Sequence, residues 1–444
     1  MKGFVISGTG SGVGKTSITT GIMSLLSKRY NVQGFKIGPD FIDPMYHTMA
    51  TGNQCRNLDS FLMDDDTIRN VVGYASKDSD LCIVEGVRGL YEGFSGDSDL
   101  GSTAYIAKLL DLPVVLVIDS RSLTRSTAAI INGFKDFDKD VKIKGVILNK
   151  VSGGQHSNKL DVVMSTYCSD VQVLGKIRKD DENSLKQRHL GLNTVLKEDR
   201  SGLEALERLV DPVDLDSLMG IAECTDSHLK EDSPYVERDV SASIAVPYDD
   251  AYCFYYRENL ECLEHSGFKV KRFSPIAGDH LPDADAVYLG GGYPELHADA
   301  ISENKDFLEG VRNMSLEGKP VYGECGGLMS MCSGMVDPNG KRHEMIGVFD
   351  CDSVFVNKRH GPTYVMADPT KDNPLFKEPV RAHEYHYSEV TAKEDSTFGF
   401  DIRRGTGITG TKDGLVFKNS MGTYMHQHAL SAKDWAKGFV DILQ

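Results

Sequence analysis

The chain has 444 residues, of which 40% are hydrophobic and 26% are charged. This length exceeds one ordinary domain and predicts two domains of about 200 residues, each with enough apolar content for its own core. The net charge of −16 comes from 65 acidic and 49 basic residues. It argues against nucleic acid as a partner, because a phosphate backbone is bound by concentrated Lys and Arg.

The nine cysteines are scattered and contain no CxxC pair, which speaks against a zinc ribbon or a disulfide scaffold. Free thiols in a long chain predict a reducing compartment, so we expect a cytoplasmic protein. The N-terminus enters a strand at once, leaving no room for a signal peptide, and no apolar run reaches the roughly 18 residues of a membrane span. We therefore expect no membrane partner. The oligomeric state is left open, with a homodimer as one candidate.

The first half of the sequence alternates apolar strands with helical segments, starting from a strand at 4–7. This alternation predicts an α/β domain with a parallel sheet covered by helices on both faces. Further strands are predicted at 32–37, 81–85, 113–119, 144–149 and 171–174, and helices at 15–29, 102–110 and 126–134.

The pattern changes near residue 200, where closing helices are predicted at 203–209 and 215–221. A polar, charged stretch containing Pro234 follows, and it predicts a linker over 227–241. The domains are accordingly predicted at 1–226 and 242–444. A second α/β series is predicted from strands at 243–247, 286–289 and 320–323 and helices at 257–265 and 307–314.

A glycine-rich turn, GTGSGVGKTS at residues 8–17, lies between the first strand and the first helix. The order of strand, turn, Gly-Lys-Thr and helix predicts a P-loop, although Thr9 replaces the first glycine of the strict pattern. Backbone N–H groups would hold phosphate, Lys15 the β- and γ-phosphates, and the Thr16 hydroxyl Mg²⁺. The predicted ATP-binding residues in this turn are Gly10, Ser11, Gly12, Val13, Gly14, Lys15, Thr16 and Ser17.

Two acidic segments follow strands of the same domain. Asp40 and Asp43 come after the second strand, at the carboxyl edge where open α/β sheets bind ligands. Glu85 ends the strand at 81–85, in a position like that of a Walker B carboxylate. We therefore predict Asp40 and Glu85 as Mg²⁺ ligands together with Thr16. For Asp43 an ordinary capping role is an equal alternative.

A strand, a sharp turn and a helix are predicted around Cys325 in PVYGECGGLM, which is typical of a nucleophile elbow with cysteine in place of serine. The helix N-terminus would lower the pKa of the thiol, and the Gly326 N–H would stabilise an oxyanion. A second glycine turn, LGGGYPE, follows another strand, and its Gly291 is the other predicted oxyanion donor.

A cysteine nucleophile needs a base, and His426 in GTYMHQH near the C-terminus supplies one. The pair of histidines in HEYH, residues 383–386, is one residue too close for the H-E-x-x-H zinc pattern, so no metal is predicted there. These histidines line a cavity or pack in the core.

Eight motifs in chain order resemble the cobyrinic acid a,c-diamide synthase family and its relative in methanogens, the Ni-sirohydrochlorin a,c-diamide synthases of coenzyme F430 biosynthesis. The motifs are GTGSGVGKTS, FKIGPDFIDPMYH, RNLDSF, EGVRGLYEGF, LGGGYPE, YGECGGLM, RAHEYHYS and GTYMHQH. They span residues 8–428, and the Thr9 variant of the P-loop also occurs in the related dethiobiotin synthetases.

The resemblance implies a P-loop amidoligase domain followed by a class I glutaminase domain. It implies Cys325 as the nucleophile, His426 as its base and Asn149 near adenine. Many class I glutaminases carry an acid two residues after the catalytic histidine. Here that position is His428, so the group that orients His426 is left open.

The resemblance also implies a reaction. Glutamine would be hydrolysed at the thiol, and ATP with Mg²⁺ would activate an acetate carboxylate of a tetrapyrrole acid as an acyl phosphate, which ammonia converts to an amide. Asp43 and Asp97 lie in segments suited to position that acyl phosphate. Three alternatives stay open: amidation of another corrinoid acid, a partitioning-type P-loop ATPase with a degenerate C-terminal domain, and a nucleotide-dependent scaffold.

Overall fold

A computed structural model describes residues 1–179, 187–188, 191–192, 200–224 and 229–444 of the chain. It contains two compact units, Met1–Pro234 and Tyr235–Gln444. The boundary between them falls within the stretch predicted as a linker. Residues 225–228, where the predicted first domain ends and the linker begins, lie outside the described residues.

The first unit is built from strands that alternate with helices. Its strands are β1 (Lys2–Gly8), β2 (Val32–Ile37), β3 (Arg56–Leu58), β4 (Leu81–Glu85), β5 (Val114–Asp119), β6 (Ile143–Val151), β7 (Gln172–Arg178), β8 (Gln187–Arg188), β9 (Gly191–Leu192) and β10 (Glu223–Cys224). Its helices are α1 (Lys15–Ser27), α2 (Ile42–Thr51), α3 (Asp65–Ser76), α4 (Thr103–Leu109), α5 (Arg125–Phe137), α6 (Gly154–Tyr167), α7 (Arg200–Val210) and α8 (Leu215–Ile221).

The main sheet of this unit has the strand order β3-β2-β4-β1-β5-β6-β7, and these seven strands are parallel. β1 lies at the centre, and its residues Phe4, Val5 and Ile6 are fully buried. Because parallel strands end at one edge, the turn after β1 lies beside the ends of β2 and β4. Glu85 pairs in register with Ile6 on one side and Lys36 on the other, so the P-loop and the acidic segments share this edge.

The second unit combines a parallel sheet with an antiparallel extension. Its strands are β11 (Ala242–Pro247), β12 (Phe268–Phe273), β13 (Ala286–Leu289), β14 (Val321–Glu324), β15 (Cys332–Val336), β16 (Arg342–Glu344), β17 (Phe349–Pro369), β18 (Val380–Val390), β19 (Thr397–Arg404), β20 (Lys412–Phe417), β21 (Ser420–Thr423) and β22 (His426–Gln427). Its α-helices are α9 (Arg257–His265), α10 (Ala298–Glu303), α11 (Lys305–Leu316), α12 (Gly326–Met331) and α13 (Trp435–Leu443), with 3-10 turns at Pro275–Ala277 and Pro294–Leu296.

The strand order in this sheet is β12-β11-β13-β14-β21-β20-β19-β17-β15-β16, with β18 pairing to β17 and β22. The strands from β12 to β21 are parallel, and the strands from β21 through β20 and β19 to β17 are antiparallel to their neighbours. Glu324 is in register with Thr423, and Leu289 with Gly323. The segments that follow β13, β14 and β21 therefore emerge at one edge of the sheet.

The predicted α/β class is confirmed for both domains. Three strands, β2, β4 and β13, and two helices, α8 and α9, have the predicted bounds at both ends. The antiparallel strands between residues 332 and 423 have no counterpart in the prediction. In the described part of the chain, no helix is long and apolar enough to cross a membrane.

Candidate active sites

The P-loop turn connects Gly8 at the end of β1 to Lys15 at the start of α1. Gly12 and Gly14 have φ angles of 77° and 99°, a left-handed conformation that favours glycine. A side chain at Gly14 is excluded for a second reason, because its Cβ would lie 2.5 Å from Asn149 Nδ2. The same Asn149 Nδ2 donates a hydrogen bond to the Val13 carbonyl at 2.8 Å. Asn149 thus holds the backbone of the turn.

Lys15 is buried beneath this turn and donates hydrogen bonds to two carbonyl oxygens, those of Gly10 at 3.0 Å and of Arg88. Burial and the positive charge of Lys36 together lower the pKa of the Lys15 ammonium to about 8, against the opposing effect of nearby carboxylates. Both bonds go to neutral oxygens, so the charge of Lys15 is available to a phosphate anion.

A compact polar cluster lies at the first turn of α1. Thr16 Oγ1 donates to Glu85 Oε1 at 2.7 Å and lies 3.2 Å from Asp43 Oδ2. Lys36 Nζ forms ion pairs with the same two carboxylates, at 3.0 Å from Glu85 and 2.6 Å from Asp43. His47 Nε2 lies 2.5 Å from the other oxygen of Glu85, and Glu85 is fully buried.

The charges of this cluster perturb one another. Burial alone would raise the pKa of Glu85, but Lys36, His47 and the Thr16 hydroxyl outweigh it and hold that pKa well below its usual range. Burial and the nearby charge of Asp40 raise the pKa of Asp43 to about 7, although Lys36 opposes them. The two carboxylates beside Thr16 provide oxygen atoms of the type that hard cations prefer.

The other acidic residues predicted for this site occupy different positions. Asp40 Oδ1 accepts hydrogen bonds from the backbone N–H groups of Ile42 at 2.8 Å and Asp43 at 2.9 Å, so it caps the start of α2. Asp43 is the one in contact with Thr16. Asp97 is exposed on the loop between β4 and α4, where it accepts from Ser95 Oγ at 2.6 Å, away from the Thr16 cluster.

Lys36 and His47 belong to the cluster but were not among the predicted site residues. The signal for Lys36 was a charged residue inside a strand predicted to be buried, since a buried lysine needs a nearby carboxylate. Lys150, next to Asn149, lies beside the P-loop, where its Nζ is 2.9 Å from both the Gly12 carbonyl and Asp119 Oδ2.

In the second unit, Cys325 forms the sharp turn between β14 and α12. Its φ is 50° and its ψ −100°, an unusual backbone conformation for a residue other than glycine. Its N–H donates to the Thr423 carbonyl at 2.7 Å. The turn requires small neighbours, because a Cβ on Gly327 would lie 2.2 Å from the Leu289 carbonyl oxygen. This is the geometry of a nucleophile elbow.

The thiol itself is buried, with its Sγ 3.7 Å from the Tyr385 carbonyl. Burial raises the pKa of Cys325, the carboxylate of Glu295 raises it further, and the Gly326 N–H opposes them. The Gly326 N–H at the helix N-terminus lowers the pKa of the thiol, as expected, but desolvation outweighs it. Generating the thiolate requires a base.

His426 lies at the same edge of the sheet and is also buried. Its ring stacks on that of His383, with centroids 4.9 Å apart, and its Nδ1 lies 3.7 Å from Glu324 Oε2. A Cβ on Gly291 would lie 2.4 Å from His426 Cε1. The imidazole therefore packs directly on the glycine turn that follows β13.

The two predicted oxyanion segments also approach each other. A Cβ on Gly326 would lie 3.2 Å from the Gly292 nitrogen and 2.9 Å from the Pro294 ring. The structure thus brings Cys325, Gly326, the glycine turn and His426 into one buried region.

Glu384 belongs to the HEYH motif at residues 383–386. Its carboxylate accepts hydrogen bonds from the N–H groups of Thr406 and Gly407, at 2.7 and 2.9 Å, which is a structural role.

Two family models match the chain. Residues 4–192 match the CobQ/CobB/MinD/ParA nucleotide binding domain, and residues 243–434 match the CobB/CobQ-like glutamine amidotransferase domain. Proteins named cobyrinate a,c-diamide synthase are similar over nearly the whole length. The protein of Methanosphaera stadtmanae is 44% identical, with 99% of this chain and 98% of the relative covered. Those of Methanococcus maripaludis and Methanocaldococcus jannaschii are 43% and 42% identical, with 97% and 100% of this chain and 97% and 99% of those relatives covered.

The chain belongs to the cobyrinate a,c-diamide synthase family. It is therefore a glutamine-hydrolysing carbon–nitrogen ligase, in which a nucleotide-binding domain precedes a glutamine amidotransferase domain. The likeness covers both domains. It therefore disfavours the alternative of a partitioning ATPase, in which the second domain would be degenerate. Members of this family need a thiol for glutamine and a phosphate site for the nucleotide, and the two sites described above have those chemistries.

Proposed function

We propose that the enzyme uses ATP and glutamine to amidate the a and c acetate carboxylates of a tetrapyrrole, either a cobyrinate-type acid or Ni-sirohydrochlorin. The observation that carries this proposal is the elbow thiol that shares one buried region with an imidazole and a glycine turn, in a chain whose other unit has a P-loop turn with Lys15 and Thr16 at the start of α1. The names of the relatives support cobyrinate as the substrate. A cytoplasmic location belongs to the same proposal, because the nine cysteines are free thiols.

The first half-reaction takes place at the thiol. His426 accepts the proton of Cys325, and the thiolate attacks the carboxamide carbon of glutamine. The N–H groups of Gly326 and Gly291 hold the oxyanion. Ammonia leaves, and water then resolves the thioester to glutamate. Support comes from the burial of this region, since a site that excludes water strengthens each hydrogen bond to the oxyanion.

The second half-reaction takes place at the P-loop. The substrate carboxylate attacks the γ-phosphorus of ATP, ADP leaves, and ammonia then displaces phosphate from the acyl phosphate to give the amide. Activation is needed because a carboxylate is a poor electrophile. Lys15 offsets the charge that develops on the transferred phosphoryl group. Its present partners are two neutral carbonyls, which phosphate oxygens can replace.

The residues at the start of α1 fit Mg²⁺. Thr16, Glu85 and Asp43 present oxygen atoms toward one another, which is the ligand type that Mg²⁺ prefers. Among the described residues, no group of three or more His, Cys, Asp or Glu side chains could hold a metal ion alone. Thr16 and these carboxylates would hold Mg²⁺ together with the phosphates of ATP, whose negative charge it would neutralise. Lys36 would give up part of its contact with the two carboxylates.

The remaining predicted roles are part of the proposal. Asn149 keeps the P-loop in shape beside the nucleotide. Asp43, in contact with Thr16, is better placed than Asp97 to act near the acyl phosphate, and Asp40 acts through its cap on α2. Asp97 would reach the substrate only from its exposed loop.

The proposal is tested by incubating the enzyme with ATP, Mg²⁺ and glutamine, and either cobyrinate or Ni-sirohydrochlorin. We expect mass spectrometry to show two successive replacements of OH by NH₂ on one of the macrocycles, each dependent on ATP. A carboxylate labelled with heavy oxygen should pass one label to the released phosphate, as an acyl phosphate requires. Absence of ATP-dependent amide on both macrocycles would contradict the assignment of substrate, and unlabelled phosphate would contradict the intermediate.

A further inference from the structure

The carboxylate nearest to His426 Nδ1 in the described contacts belongs to Glu324, the residue immediately before the nucleophile. Its Oε2 lies 3.7 Å from that nitrogen, and both side chains are buried at 1–2% exposure. Position 428, where many class I glutaminases carry an acid, holds a histidine whose Nε2 instead lies 3.6 Å from Glu258. An acid next to the base is therefore present, but it comes from another place in the sequence.

Glu324 is held firmly in this place. Tyr322 OH donates to its Oε1 at 3.0 Å, and Tyr288 OH donates to its Oε2 at the same distance. The backbone N–H of Gln427, the residue after the base, donates to Oε1 at 3.1 Å. Hydrogen bonds of this kind stabilise a carboxylate anion inside a protein. The last of them also ties the carboxylate to the segment that carries the imidazole.

The position of Glu324 in β14 makes the arrangement rigid. Neighbouring strands β14 and β21 end together, with Glu324 in register with Thr423, and Cys325 and His426 follow these ends. The end of β14 thus carries both the carboxylate of Glu324 and, directly after it, the nucleophile Cys325. Groups held on strands are placed more reproducibly than groups on loops.

We propose that Glu324 is the positioning residue of His426: its carboxylate accepts the Nδ1 proton, so that Nε2 is the nitrogen left to take the proton of Cys325. This inference rests on the proposed function of the thiol site. A separation of 3.7 Å is an ion-pair distance, and hydrogen bonds of catalytic groups are often long before substrate binds. The carboxylate would fix one tautomer and stabilise the imidazolium that forms when the thiol loses its proton.

Other titratable groups also face this imidazole. They are His383, whose ring stacks on that of His426, and His386, and both lie on β18. His428, after β22, acts electrostatically on His383. Burial lowers the pKa of His383 and His386, and nearby histidines lower it further, so these two rings are neutral near pH 7 and cannot replace a carboxylate. Glu295 and Asp413 face the thiol, where both raise its pKa.

Glu324→Gln is the test, because the amide keeps the size of the side chain and removes its charge. We expect kcat for glutamine hydrolysis to fall about 100-fold or more, as when the acid of a triad is made neutral. KM for glutamine should change less than about threefold, and the rise of kcat with pH should move to lower pH, because the neutral amide no longer favours the protonated imidazole or the protonated thiol. Amidation supported by added ammonia should be unchanged.

The chain supplies a matched control in the pair of Glu258 and His428, which has the same groups, burial and separation. Glu258→Gln should leave the pH profile of glutamine hydrolysis in place and lower kcat less than about threefold. Equal losses in both variants, or an unmoved pH profile in Glu324→Gln, would overturn the inference, because a merely structural role predicts those results.

Two further variants keep the test decisive should Glu324→Gln fail to fold. Tyr322→Phe and Tyr288→Phe retain the carboxylate and remove one hydrogen bond each, so kcat should fall several-fold while KM for glutamine changes less than about threefold. A wild-type kcat in both would overturn the inference. Cys325→Ser distinguishes a failure of the proposed thiol site from a failure of the role of Glu324. Glutamine hydrolysis that survives in Cys325→Ser contradicts the proposed thiol site. An inactive Cys325→Ser beside a normal Glu324→Gln contradicts the role of Glu324 alone.

Discussion

At the scale of single residues, Glu295 is a carboxylate in an unfavourable place. It lies in the 3-10 turn Pro294–Leu296, where the side chain is buried, and its Oε2 has no hydrogen-bond partner among the described residues. Burial raises its pKa to about 7. The same carboxylate raises the pKa of the Cys325 thiol. Its ionisation thus costs stability and disfavours the thiolate.

Glu295→Gln should change how stability depends on pH. The ordinary pKa of 4.5 applies to the unfolded chain and about 7 to the folded one. Below about pH 4.5 this group therefore does not lower the free energy of unfolding. Between about pH 4.5 and pH 7 it lowers that free energy increasingly, and above pH 7 the full loss is on the order of 3 kcal/mol. Relative to the wild type, the variant should gain stability as pH rises through this window.

The single tryptophan of the chain makes this measurement specific. Trp435 is buried in the C-terminal unit, so its fluorescence during urea unfolding reports the unit that contains Glu295. Identical pH dependence of the unfolding midpoint in both proteins would contradict the prediction. The prediction concerns how the free energy of unfolding changes with pH. An effect of the amide that is the same at every pH therefore does not alter the comparison.

At the scale of elements, the close approach of α1 and α7 is a constraint that the sequence pattern did not reveal. A Cβ on Gly21 would lie 2.4 Å from the Leu206 carbonyl oxygen. Gly21→Ala should therefore destabilise the first unit by about 1–3 kcal/mol, because backbone must move to admit the methyl group. Far-UV circular dichroism during heating, compared with Trp435 fluorescence, distinguishes this unit from the other.

Gly133 provides the control for this substitution. It also lies inside a helix, α5, but a Cβ there would meet no atom within 4 Å. Gly133→Ala should stabilise the same unit by about 0.5–1 kcal/mol, since alanine loses less backbone entropy in a helix. If both alanines raised the melting temperature, the tight contact of α1 with α7 would be refuted.

The strands that the sequence predicted with both bounds, β2, β4 and β13, are short and buried along their whole length. The helices α8 and α9 each bury apolar residues three positions apart. β18 was missed because it buries His383, Glu384 and His386, and the first two have hydrogen-bond partners far away in the chain. The pattern of such a strand does not read as apolar and polar in alternation.

The candidate sites show the same limit. Local motifs were enough to predict the P-loop turn and the cysteine elbow, whose shapes depend on nearby glycines. Contacts such as that of Glu324 with the Gln427 N–H join residues 103 positions apart, and strand pairing alone creates them. The desolvation of the Cys325 thiol also depends on residues distant in the sequence, such as Tyr385, so the local motif did not reveal it.

At the scale of the whole molecule, the two sites lie in separate compact units, so their chemistries should be separable by mutation. Cys325→Ser should lower glutamine-supported amidation by at least about 1,000-fold and leave ammonia-supported amidation largely intact. Cys224→Ser, at an exposed cysteine, should have no effect on either activity. Loss of both activities in Cys325→Ser would contradict the scheme of two sites.

Lys15→Ala should have the opposite effect. Amide formation should be lost with either nitrogen source, while Cys325 should still be labelled by a diazo-ketone analogue of glutamine, as measured by mass spectrometry of the peptide. Lys28, at the other end of α1, offers a control, because its side chain is 58% exposed and its ion pair with Glu207 contributes little. Lys28→Ala should amidate normally, and normal amidation in Lys15→Ala would refute the phosphate role.

The left-handed backbone at Cys325 bears on how this chain evolves. A residue other than glycine in such a conformation costs about 1–3 kcal/mol, and the surrounding structure must compensate for it. Selection for folding alone would favour glycine at position 325, whereas selection for turnover retains the thiol. A lineage released from the need for glutamine, for instance by abundant ammonia, would be expected to lose this cysteine early and become more stable by losing it.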